Sequence, residues 1–75
     1  MTDEAFKEAK ELERKIERIT YMIDLLQHTT NKEKTDCALA VYGENIFYLE
    51  VDEVYALLKG LIEAKHELKT EFEKL

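Results

Sequence analysis

The sequence predicts an α+β fold: a helix–β-hairpin–helix with antiparallel coiled-coil-like helices, working as an oligomer. Three observations predict it. Two long charged segments repeat apolar residues at alternating spacings of three and four, which is the pattern of a helix seam. Between them, residues 36–51 hold two β-rich runs around Gly43-Glu44-Asn45, a hairpin signal. The chain has 75 residues, no proline and two glycines, which suits one domain, 1–75, of long regular elements.

The first helix is expected over about 3–28. Ala5, Ala9, Leu12, Ile16, Ile19, Ile23 and Leu26 form its seam. Thr2 or Asp3 can cap it, and acids crowd the first turn, where the helix dipole favours them. Glu11 and Lys15 form an i,i+4 pair in the better orientation. Towards the hairpin the stripe widens to Tyr21, Met22 and Leu25, which predicts contact with more than one neighbour.

Residues 29–36 follow, with no apolar side chain and many short hydrogen-bonding ones, so they read as a loop. It exceeds the usual connection length, which points to a functional or mobile segment.

The hairpin is expected over 37–51. A three-residue loop at Gly43–Asn45 sets Tyr42 opposite Ile46, Val41 opposite Phe47, Ala40 opposite Tyr48 and Leu39 opposite Leu49. Cys37, Leu39, Val41, Phe47, Leu49 and Val51 then share one wholly apolar face. The other face carries Ala38, Ala40, Tyr42, Ile46, Tyr48 and Glu50. Asn45 is the residue expected to take the left-handed conformation that ends such loops.

The second helix is expected over about 53–75, capped by Asp52. Its seam reads Val54, Leu57, Leu61, Ala64, Leu68, Phe72 and Leu75, broadened near the hairpin by Tyr55, Leu58 and Ile62. Gly60 interrupts it, either for close approach of another backbone or as a tolerated surface glycine.

A domain this small is marginal alone, and a lone two-stranded hairpin is marginal in water. Cys37 is the only cysteine, so no disulfide can staple the chain. Oligomerisation is the remaining common staple, with hairpins joining into one sheet or stacking face to face.

Net charge is −6 and 37% of residues are charged, with the acids interleaved among lysines and arginines. That disfavours direct binding to a nucleic-acid backbone. No signal peptide is read at the start, no apolar run reaches the roughly 20 residues of a membrane span, and a single cysteine suits a reducing cytosol. A cytoplasmic protein without membrane contact is expected, in a host cytosol if phage-encoded.

Chemistry is sparse. The chain has no serine, no glycine-rich phosphate loop and no isolated carboxylate pair. His28 reads as a helix C-terminal cation. His66 with Glu63 supplies too few ligands for a metal. Cys37, on the apolar face, reads as inert packing. No catalytic residue, metal or cofactor is expected.

One surface suggests binding. Tyr42 and Tyr48 frame the small Ala38 and Ala40, and the neighbouring loop offers Thr29, Thr30, Asn31, Lys32, Lys34 and Thr35. Stacking rings beside polar donors suit a nucleotide-like ligand, which two copies of the chain can enclose. The competing reading is that this face packs against helices or another hairpin.

The order helix, hairpin, helix resembles in outline a β-type prefoldin subunit, whose paired coiled-coil helices flank a hairpin. That resemblance covers the whole chain through element order. Glu11-Leu12-Glu13-Arg14-Lys15-Ile16-Glu17 and the block from Gly43 to Val54 resemble the small acidic proteins of bacteriophages. Some of these are oligomers that inhibit host defence, including sponges that sequester cyclic-nucleotide immune signals. The resemblance implies a non-catalytic anti-defence protein that sequesters a nucleotide signal. The alternative is a structural or protein-interaction module that meets a host protein through its seam and acidic surface.

Overall fold

A computed structural model describes residues 2–75. Its elements are α1 (Asp3–Thr29), β1 (Ala38–Val41), β2 (Asn45–Tyr48) and α2 (Val51–Glu73). The fold is the expected α+β helix–hairpin–helix, with the two helices in contact.

Thr2, the cap of α1, accepts a hydrogen bond from the Ala5 N–H at 3.1 Å, and Asp3 and Glu4 follow in the first turn. The whole predicted seam of α1 is buried or half-buried, from Ala5 through Leu12 to Leu26. Tyr21 and Leu25, expected to broaden it, stay exposed. Glu11 pairs at 3.8 Å with Arg14, one turn away, and not with Lys15. Both side chains are exposed, so either pairing contributes little.

α2 starts two residues earlier than expected. Glu50 caps it in place of Asp52, because its N–H donates to the Glu53 carboxylate at 2.8 Å, one half of a capping box. Val51 therefore leaves the sheet and opens the helix. The packed stripe of α2 also differs from the predicted seam. Leu58 is buried and Leu57 exposed, and Phe72 and Leu75 remain exposed. Val51, Val54, Leu58, Leu61, Ala64, half-buried Lys65 and Leu68 make the observed stripe, so Val54, Leu61, Ala64 and Leu68 of the predicted seam hold. A second apolar residue beside Leu57 let either satisfy the spacing, and the direction of α1 selected Leu58. Gly60 has nothing within 4 Å of where a Cβ would stand, so within one chain it is a surface glycine.

The helices run antiparallel. Glu13 and Ile16 share a groove with Lys69, Phe72 and Glu73, while Asp24 and Gln27 share one with Lys65. Leu12, Val54 and Leu58 are the buried core among the described residues, and only Val54 is fully enclosed.

The hairpin has the predicted loop length but a different centre. Ala38 pairs with Tyr48, Leu39 with Phe47, Ala40 with Ile46 and Val41 with Asn45. The loop is therefore Tyr42–Glu44, one residue earlier than expected, and Asn45 lies in β2. Tyr42 (φ 57°) and Gly43 (φ 72°) take the left-handed conformation assigned in advance to Asn45. Gly43 enters that region without a steric cost, so the turn centres on it. The shift moves each cross-strand partner by two positions, so the two faces keep their predicted members within the strands.

Candidate functional site

The hairpin stands clear of the helices: neither strand packs on α1 or α2. Both strands are exposed along their whole length. The face read as apolar core is also largely uncovered, with Leu39 48% and Phe47 57% exposed, although less so than the tyrosine face, and its Cys37 and Leu49 are half-buried. The chain measures 48 × 28 × 15 Å, with a radius of gyration of 15.4 Å against about 11 Å for a compact domain of this length.

At the tip, Tyr42 is 94% exposed. A bulky side chain at positive φ costs about 1–2 kcal/mol, so the turn displays this ring at an energetic penalty. Tyr48, 82% exposed, sits at the other end of the ladder opposite Ala38, close to the loop.

The loop is tightly closed. Thr30 and Thr35 form an isolated bridge, and their hydroxyls meet at 2.7 Å. The Asn31 side chain accepts from the Glu33 and Lys34 N–H groups at 2.8 and 2.9 Å, while the Asn31 N–H donates to the Lys34 carbonyl. That Asx-type turn fixes the direction of the segment carrying Lys32 and Lys34, both exposed. Thr29 ends α1, and its hydroxyl donates to the Leu25 carbonyl at 2.8 Å.

The predicted site residues therefore divide into two groups. Thr29, Thr30, Asn31, Lys32, Lys34 and Tyr48 gather at the base of the hairpin. Tyr42 lies five residues up β1 from Cys37, about 17 Å away at strand rise. The hydroxyls of Thr29 and Thr30 already have partners, the Leu25 carbonyl of α1 and the Thr35 hydroxyl. The grooves along the helices are lined by neither Tyr42 nor Tyr48.

No protein-family model, curated protein or solved structure matches this chain.

One feature escaped the sequence reading. Cys37 is half-buried where the loop meets β1, with its sulfur 2.9 Å from the Thr29 hydroxyl and 3.7 Å from that of Thr30. Burial pushes the thiol pKa up, but the hydrogen-bonding contacts with Thr29, Thr35 and Thr30 outweigh it. The thiol lies below its ordinary value, although Asp36 opposes the shift. Three threonines flanking one cysteine were the available signal. The closed loop that gathers them was not visible in the spacing.

His28 lies in the last turn of α1, its Nδ1 2.9 Å from the Asp24 carbonyl and 3.5 Å from the Asp24 carboxylate. Among the described residues no three His, Cys, Asp or Glu side chains cluster as metal ligands would. Among the described residues no helix is long and apolar enough to cross a membrane.

Proposed function

We propose that this protein is a non-catalytic binding protein that acts as an oligomer, with the hairpin head as its contact surface. The observation that carries the reading is the display of that head. Tyr42 is almost wholly exposed on a backbone conformation that costs stability, and both faces around it are uncovered. Exposed aromatic rings held at an energetic cost are a contact surface in waiting.

The finer proposal is that the contact is with a nucleotide-type signal, sequestered between copies as phage anti-defence sponges do. Tyr42 and Tyr48 would stack on its bases, and Lys32 and Lys34 would attract its phosphates. One chain alone separates Tyr42 from the lysine loop, so the proposal requires assembly.

Calorimetry against cyclic di- and trinucleotides and adenosine-ribose signals tests it. Tyr42→Ala or Tyr48→Ala should weaken binding roughly tenfold to a hundredfold, the usual loss for one stacked base. Changing Lys32 and Lys34 together to Ala should flatten the salt dependence. The ligand should be recovered intact. A second reading, a protein-interaction module, draws support from the engaged threonine hydroxyls and the acidic helix surface. Absence of heat with every nucleotide, together with a host protein retained by the helices, would establish that reading instead.

A further inference from the structure

The two sides of the helical pair differ in charge. On one side, Glu13, Glu17 and Asp24 of α1 share grooves with Lys65 and Lys69 of α2, so both signs meet within the chain. On the other side the groove is lined by Lys15, Arg18, Ile19, Met22 and Leu68. It holds two bases and no acid, in a chain of net charge −6. Among the described residues neither base makes an ion pair. The complement of such a groove is a helix flank that is apolar, acidic and free of bases.

α2 carries that flank on the same side of the pair. By helical spacing, the row next to Leu68 and away from Lys65 and Lys69 reads Leu57, Gly60, Ala64, Glu67 and Glu71. It contains no base, and Glu67 and Glu71 are exposed without an ion pair among the described residues. Leu57 on this row and Leu25 beside the basic groove are both exposed. The two flanks grade alike. Each is charged at the end away from the hairpin and apolar near it, and their charges are opposite in sign. Basic and acidic flanks on one side of one chain make that side complementary to itself, as a two-fold contact requires.

We propose that this side takes a second copy of the chain, α1 of each lying along α2 of the other about a two-fold axis parallel to the helices. Ile19 and Leu68 line one groove and Ile16 and Phe72 another, so Lys15 and Arg18 stand close to the level of Glu71 and Glu67. An axis parallel to the helices preserves level. Lys15 and Arg18 then meet the partner's Glu71 and Glu67, and Met22 and Leu25 meet the partner's Ala64 and the open surface at Gly60. An axis across the helices would lay α1 on α1 and forfeit the match of bases with acids. The inference rests on the oligomeric reading above and supplies its geometry. Both hairpin heads stand at one end of the dimer, as enclosure of a ligand between copies requires.

A charge swap tests the pairing without any ligand. Lys15→Glu with Arg18→Glu sets acids against the partner's acids, twice per dimer. Glu67→Lys with Glu71→Lys sets bases against bases. All four side chains are exposed, so helix content should be unchanged. In sedimentation each double variant alone should self-associate roughly tenfold or more weakly, because opposed like charges are costly across an interface. Mixed one to one, the two should recover association as a heterodimer, since each α1 then meets opposite charges on the other chain's α2. A double variant that associates as tightly as the unaltered chain, or a mixture that does not recover, overturns the pairing while an oligomeric unaltered chain keeps the reading above. An unaltered chain that is monomeric at micromolar concentration overturns both, and its binding of another protein's acidic helix through Lys15 and Arg18 would name the occupant instead. Recovery in the mixture without nucleotide heat upholds the pairing and removes only the nucleotide.

Discussion

The helical pair and the hairpin head are both apolar, yet they satisfy their surfaces differently. The helices bury a narrow stripe against each other and turn charges outward, so Leu12, Val54 and Leu58 find partners within the chain. The hairpin carries Leu39, Val41, Ile46 and Phe47 and covers none of them. Hydrophobic sequence is thus no guarantee of burial in the same chain. A two-stranded ribbon has no third layer, and here neither helix reaches back to provide one. The difference teaches that burial and exposure are separately located: the helices supply the buried core, and the hairpin leaves its apolar side chains uncovered.

The largest effect should come from breaking the helical side. Val54→Asp places an unpaired carboxylate at a fully enclosed position, a penalty of several kcal/mol against a total stability of about 4–11 kcal/mol for this length. Circular dichroism should show loss of most helix. A folded variant would mean that the core lies elsewhere.

Phe47→Ala sharpens the contrast. In a dilute chain its ring is more than half exposed, and truncation should cost less than about 1 kcal/mol. Where hairpins are joined, the cost should rise towards the roughly 3–5 kcal/mol of a buried ring, and Tyr48→Ala should cost clearly less. Melts at low and high protein concentration separate the cases. Equal shifts at both concentrations would place Phe47 outside any interface.

The turn is predicted to respond through its backbone alone. Gly43→Ala meets no atom within 4 Å, so its cost of about 1–2 kcal/mol is that of left-handed φ. Tyr42→Gly should gain roughly 0.5–1 kcal/mol by the same argument while losing any contact made by the ring. Urea unfolding monitored at the hairpin reads both signs. If Tyr42→Gly destabilises, the tyrosine is held by contacts of its own.

On the helices, Gly60→Ala should stabilise by about 1 kcal/mol, because the position is open and helical. A thermal melt suffices, and a loss would reveal a neighbour from another copy.

The smallest effect concerns the junction. The lowered pKa of Cys37 means more thiolate at a given pH. Thr30→Val removes a hydroxyl that faces the sulfur and, unlike that of Thr29, is not committed to a helix carbonyl, so the pKa should rise and alkylation near pH 8 should slow by a few fold. An unchanged pH–rate profile would assign the shift to the other threonines.

The sequence by itself determined the element order, the seam of α1 and the alternation of the hairpin faces. Those properties follow from local periodicity: a 3.6-residue helix and a two-residue strand impose their faces whatever the surroundings. It also supplied the loop length, although the centre moved from Glu44 to Gly43 because a glycine takes positive φ most cheaply. Tertiary structure decided the rest. Leu57 and Leu58 both fit an apolar spacing, and only the position of α1 buried Leu58. Glu50 displaced Asp52 as the cap because Glu53 lay one turn ahead with its carboxylate turned back. The loop threonines came to surround Cys37 once the Thr30–Thr35 bridge closed. Most consequentially, the face of Leu39 and Phe47 stayed open, because periodicity specifies which side of a strand is apolar and says nothing about what will lie against it.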